Sequence, residues 1–152
     1  EPDSLITGDF NEWCPSFSPD GKWIVYCSDQ DGQYQIYVRP YPLVDQRFWK
    51  VSDKIGEEPI WSPAGDELFY RSGNRLMVVR YKSEKDFVYE FPEIAWEGRF
   101  RNVFGFSYDI SQDGKRFLIL KPAFDDTRVE EIRIVENWSA EIQRTMKPDA
   151  SP

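Results

Sequence analysis

The sequence predicts an all-β fold of three consecutive four-stranded β-propeller blades, a partial or half propeller, followed by a short C-terminal helix. Three observations predict it. A pattern recurs in phase at residues 15–26, 59–70 and 108–119, its turn glycines Gly21, Gly65 and Gly114 lying 44 and 49 residues apart, close to the period of a four-stranded blade. The 152 residues hold 11 Phe, 8 Tyr and 6 Trp with 11 Pro and 9 Gly, which suits short strands between tight turns. The strand after each turn is apolar at consecutive positions, as in Ile24-Val25-Tyr26, Leu68-Phe69-Tyr70 and Phe117-Leu118-Ile119, and so is expected to bury both faces between stacked sheets.

Each repeat opens with a hairpin. In the first, Pro19 presets φ, Asp20 tolerates the second turn position and Gly21 supplies positive φ. Trp23, Glu67 and Arg116 share the one variable position of the following strand, which is expected to be its more exposed site. Third strands are predicted at Tyr34–Arg39, Leu76–Tyr81 and Glu131–Val135, and fourth strands at Arg47–Ser52 and Ile94–Glu97. Blade one thus spans about 13–52, blade two 57–97 and blade three 106–135. The third blade lacks a fourth strand, and Leu5-Ile6-Thr7 reads as an orphan one that could complete it in the same or another chain. Beyond the last strand, Asn137 can cap a helix over 137–146 with Trp138, Ile142 and Met146 on one face.

The turn Ser18-Pro19-Asp20-Gly21, with Ser62-Pro63-Ala64-Gly65 and Ser111-Gln112-Asp113-Gly114 keeping most of it, resembles the Ser-Pro-Asp-Gly turn of TolB-like, WD-repeat-like propellers. The resemblance covers about Leu5 to Asn137. It implies a propeller and, for compartment, an extracytoplasmic one. Glu57 to Val79 looks most like propeller regions downstream of bacterial serine/threonine kinase domains and in related sensors, although none of the kinase's own motifs is present.

Composition removes several function classes. A formal net charge of −8 without a basic stripe argues against nucleic-acid binding. No apolar run approaches the roughly 20 residues of a membrane-crossing helix, and no secretory leader is expected ahead of Leu5. The absence of histidine removes Ser-His-Asp and Cys-His catalysis and most zinc sites, so neither cofactor nor metal is expected. Ser16, Ser18, Ser62 and Ser111 lie in or beside turns and read as structural.

The candidate ligand-binding residues are Glu57, Glu58, Arg99, Arg101, Asn102 and Phe104. Glu57 and Glu58 precede Pro59 where an inner strand begins; paired carboxylates can divide acid and base roles, but a solvated acidic rim is the default for this pair. The insertion Arg99-Phe100-Arg101-Asn102-Val103-Phe104 joins guanidinium groups to aromatics, a chemistry for anions or peptide carboxylates, while its aromatics can equally fill the space between blades two and three. Asp29-Gln30-Asp31-Gly32 resembles the start of a calcium loop without its bidentate Glu, and an Asp-Gly hairpin turn explains it better.

Cys14 and Cys27 are related by hairpin register. With Phe17 opposite Ile24, residues whose numbers total 41 face one another, which sets Cys14 across from Cys27; opposed strand residues stand slightly wide for a relaxed disulfide, so a bridge is feasible but strained, and neighbouring, buried, reduced thiols are expected ahead of it. A Gly bulge at the turn would instead separate them onto opposite faces.

The expectation for function is a non-catalytic binding, sensing or protein-interaction module. The alternatives are an accessory propeller of a prolyl-oligopeptidase-like hydrolase and a carbohydrate-active propeller. Self-association is expected, two chains forming a six-bladed homodimeric ring by exchange of the first strand.

Overall fold

A computed structural model describes residues 4–84, 86–122 and 132–136, the last five by their backbone alone. Among the described residues, twelve strands form three antiparallel sheets. Blade one is β1 (Glu12–Phe17), β2 (Trp23–Ser28), β3 (Gln35–Pro40) and β4 (Trp49–Lys50), paired in sequence order. Blade two is β5 (Glu57–Trp61), β6 (Glu67–Ser72) and β7 (Arg75–Lys82), with β8 (Val88–Tyr89) and β9 (Glu93–Glu97) sharing the far edge of β7. Blade three is β10 (Tyr108–Ile110), β11 (Arg116–Leu120) and β12 (Ile132–Glu136). The fourth strand of blade one is shorter than predicted; that of blade two forms as predicted, as β9, with the short β8 as an unpredicted addition. The predicted helix at 137–146 lies outside the described residues.

The turns form as their chemistry dictates. Gly21, Gly65 and Gly114 adopt φ of +69°, +85° and +68°, a region that disfavours residues with a Cβ. Each glycine N–H donates to the carbonyl of the serine three residues earlier, at 2.8–3.0 Å. Ser18 then clasps the first turn, its hydroxyl donating to Asp20 Oδ1 at 2.6 Å and accepting from the Trp23 N–H at 3.0 Å. These serines are structural, as expected.

Strand alternation gives the stack a direction. Trp23, Val25 and Cys27 of β2 point forward onto Leu68 and Tyr70 of β6, and Phe69 points forward onto Phe117 and Ile119 of β11. Each interface mixes aliphatic side chains with several aromatic rings. Phe87, 2% exposed, meets Trp23, Trp49, Trp61 and Tyr81 with ring centroids 5.2–6.3 Å apart, close enough for edge-to-face attraction beyond simple burial.

This packing corrects the variable position. Trp23 is buried because its ring fills the first interface, whereas Glu67 is half-buried and Arg116 exposed. Leu118 is corrected in the opposite sense: it is 41% exposed where the equivalent Val25 and Phe69 are fully buried, because it points forward from the third blade. The backward face of blade one is covered by the β3–β4 connection. Val44 and Ile6 pack on Ile24, Tyr26 and Tyr37, and Arg39 donates to the Tyr26 hydroxyl at 2.7 Å and the Val44 carbonyl at 2.8 Å. Residues 5–7 accordingly form no strand within this chain; Ile6 is held on blade one, not blade three.

Candidate functional site

The site begins from one position repeated in all three blades. Cys14, Glu58 and Ser107 each immediately precede the residue that opens the repeated pattern: Pro15, Pro59 and Tyr108. A proline has no N–H for the ladder, and its ring disfavours the helical region for the residue before it. In blades one and two the ladder breaks there into a bulge, between Trp13 and Ser16 and between Glu57 and Ile60. Cys14 and Glu58 adopt φ of +50° and +55°, strained values for residues with a Cβ.

Glu58 is the centre of a buried network. Its Oε2 accepts from the Ser107 hydroxyl at 2.6 Å and the Ser107 N–H at 2.7 Å, and its Oε1 accepts from Arg71 Nη1 at 3.1 Å. Arg71 also donates to Asn102 Oδ1 at 2.5 Å and to the Gly73 carbonyl at 2.9 Å, with its guanidinium 5.2 Å from the Phe100 ring centroid. The Tyr108 hydroxyl donates to the Glu58 carbonyl at 2.6 Å; complete burial, then the charge of Glu58, holds its ionisation far above the usual phenol range. Glu58 is therefore a brace between blades two and three, which corrects the expectation of a solvated rim carboxylate.

Two hollows open on either side of this network. A cavity of about 290 Å³ is walled by Trp13, Cys14, Cys27, Tyr34 and Glu57, with Phe104 at its rim. A second, of about 550 Å³, is lined by Asn74, Arg99, Arg101 and Pro122. Arg71 and Asn102 border both. The structure thus gathers all the predicted site residues along one edge but gives them different work. Glu57 remains half-exposed on the cavity wall, and Arg99 and Asn102 are exposed with Arg101 half-buried. The aromatics of the insertion divide: Phe100 fills the gap between blades two and three, while Phe104 is 96% exposed, its ring 6.0 Å from that of Trp13. Asp29 and Asp31 form a hairpin turn with Gly32 at φ +83°, and their carboxylates accept from Asn11 and Lys50.

Sequence reasoning missed Arg71 and Ser107. Carried back from Trp61–Leu68, the hairpin register points to Glu58 opposite Arg71; the bulge sets Glu57 opposite Arg71 in the ladder, yet the Glu58 side chain still reaches it, and alignment of the repeats sets Ser107 at the position of Glu58.

The cysteines follow the expectation in part. Residues totalling 41 do pair at Phe17–Ile24 and Ser16–Val25, but the bulge at Cys14-Pro15 brings Trp13 opposite Cys27. The thiols nevertheless meet and are free, Cys27 buried and Cys14 half-exposed. The hydrogen bond from Cys27 lowers the ionisation of Cys14 against the opposing effects of burial, Glu58 and Glu57. The same bond and burial push Cys27 far above the usual thiol range.

No family model matches the chain, and no curated protein sequence matches it. Solved structures do. An oligogalacturonate lyase from Vibrio parahaemolyticus superposes with a TM-score of 0.56 at 14% identity, over 97% of this chain and 34% of that one. TolB from Acinetobacter baumannii superposes at 0.54 and 16% identity, over 81% of this chain and 29% of that one. The fold is a TolB-like β-propeller. A TolB-like protein from Agrobacterium tumefaciens agrees, at 0.53 and 17% identity over 84% of this chain and 46% of that one. The chain therefore spans between 29% and 46% of these propellers, and identities this low carry the fold alone. Among the described residues of this propeller segment, no helix is long and apolar enough to cross a membrane.

Proposed function

We propose that this propeller segment is a non-catalytic binding module whose ligand presents a carboxylate, and that the ligand docks on the edge formed by Arg71, Arg99, Arg101 and Asn102. The observation that carries the reading is the state of the arginines. Arg71 is paired with Glu58, whereas Arg99 and Arg101 have no ion pair among the described residues and open onto the same hollow. In a chain of net charge −8, two uncommitted guanidinium groups beside an amide are a localised anion receptor, suited to bidentate contact with a carboxylate. Support for a non-catalytic role comes from the lack of histidine, the engagement of Glu58 and the structural use of the turn serines. The resemblance of Glu57–Val79 to propellers following bacterial kinases supports a sensing role, with peptide C-termini as the carboxylate source.

A carbohydrate-active reading draws support from the likeness to a lyase named for an acidic oligosaccharide, and an accessory-propeller reading from the partial length of the chain. The test is a binding titration with peptides bearing a free or amidated C-terminus and, in parallel, with galacturonate oligomers. Binding of free-acid peptides that weakens about tenfold or more in Arg99→Ala and Arg101→Ala supports the proposal. Binding unchanged in both variants overturns it, and turnover of the sugar replaces it with the carbohydrate-active reading.

A further inference from the structure

The neighbouring 290 Å³ cavity holds a feature that anion binding does not use. At the equivalent position in each blade, the inner strand is tied to the second strand by a different chemistry. Blade two uses the Glu58–Arg71 ion pair at 3.1 Å, and blade three uses the Leu120 N–H donating to the Ser107 carbonyl at 2.8 Å. Blade one has two thiols in contact, sited where the bulge interrupts the backbone ladder. Both cysteines line the cavity, Cys14 half-exposed and Cys27 only 3% exposed, an arrangement with one thiol open to a reagent and the other placed to resolve the product.

We propose that Cys14 and Cys27 form a reversible dithiol–disulfide couple on this cavity wall, closed by a small-molecule disulfide and reopened by a thiol reductant. The Cys14 thiolate attacks one sulfur of the reagent, forming a mixed disulfide and releasing one thiolate, which takes up a proton. The Cys27 thiolate, its proton passed to solvent, then attacks the Cys14 sulfur; the Sγ–Sγ bond forms and the second small thiol leaves. Two protein thiols are oxidised and one reagent disulfide is reduced to two thiols. Closure joins β1 to β2 across the bulge and fixes the wall that carries Trp13.

The test needs no ligand, so its outcome is independent of the anion-binding proposal. The reduced chain is equilibrated with glutathione mixtures of increasing oxidised fraction, quenched with acid and weighed intact. A monomer lighter by two hydrogens, appearing over one redox transition and reversed by dithiothreitol, is expected. Cys27→Ser should accumulate a stable glutathione adduct on Cys14, and Cys14→Ser should resist modification because Cys27 is buried. A wild-type chain that keeps two free thiols, stops at the mixed disulfide or bridges only between chains overturns the proposal.

Discussion

Cys14 and Cys27 hold the same place between the first two strands of blade one that Glu58 and Arg71 hold in blade two, with a bulge and a left-handed backbone at Cys14 and at Glu58 alike. The two ties differ in what their loss exposes. Removing the Glu58 carboxylate strands the buried Arg71 charge and the Ser107 donors. Glu58→Ala is expected to cost about 3–5 kcal/mol in urea unfolding, against about 1 kcal/mol for Cys14→Ser, which strands no charge. Equal losses in the two variants would show that the Glu58–Arg71 network does not brace the blades.

The two thiols differ in reactivity. The hydrogen bond from Cys27 stabilises the Cys14 thiolate, while burial, Glu58 and Glu57 oppose it, with a net lowering. Iodoacetamide should label Cys14 alone in the native chain, with a rate inflection below the ordinary thiol value. In Cys27→Ala the inflection should move upward, because the donor is gone and the carboxylates remain. An inflection that stays in place would exclude Cys27 as the cause.

Phe87 is where the outer half of the first interface converges. Phe87→Ala should destabilise by about 3–5 kcal/mol, as large-to-small changes in packed aromatic cores do. Phe104→Ala, removing a ring that is 96% exposed, should leave the unfolding midpoint unchanged. Circular dichroism melts of the two variants give the comparison directly.

Asp20 links the first turn to pH. Partial burial raises its ionisation, but the Ser18 hydroxyl and the Lys22 N–H outweigh this and hold it below the usual carboxylate value. A lowered folded-state value means stability that is present above the unfolded value and lost as pH falls through the folded one. The melting-temperature gap between wild type and Asp20→Asn should therefore be full at pH 7 and shrink below about pH 4. A gap independent of pH would exclude the carboxylate's charge as its source.

The forward face of blade three offers Leu118, and the backward side of blade one offers exposed Phe17, Tyr41, Leu43 and Phe48. We expect the purified chain to self-associate, a two-chain ring being the favoured form, and Leu118→Glu to shift it to monomer in light scattering. A folded, monodisperse wild-type monomer would remove the ring from consideration.

The sequence by itself determined the blades. Turn chemistry at Gly21, Gly65 and Gly114 and two-faced apolar strands are local signals, and a repeated local signal fixes period, hairpin register and sheet order without knowledge of what packs on what. At the bulges the ladder slips by one, setting Trp13 opposite Cys27 and Glu57 opposite Arg71, so the approach of Cys14 to Cys27 and of Glu58 to Arg71 was legible only approximately. Only the tertiary structure decided which face of each strand looks forward, because every blade carries the same pattern while blades one and two have a blade in front of them and blade three, among the described residues, has none. That difference buries Trp23, exposes Leu118 and draws Ile6 onto blade one. The candidate site depended on it most: Glu57 and Glu58 are adjacent acids in sequence, yet Glu57 stays half-exposed on a cavity wall while Glu58 is held by Arg71 within blade two and by Ser107, a contact that exists only once blade three has docked on blade two.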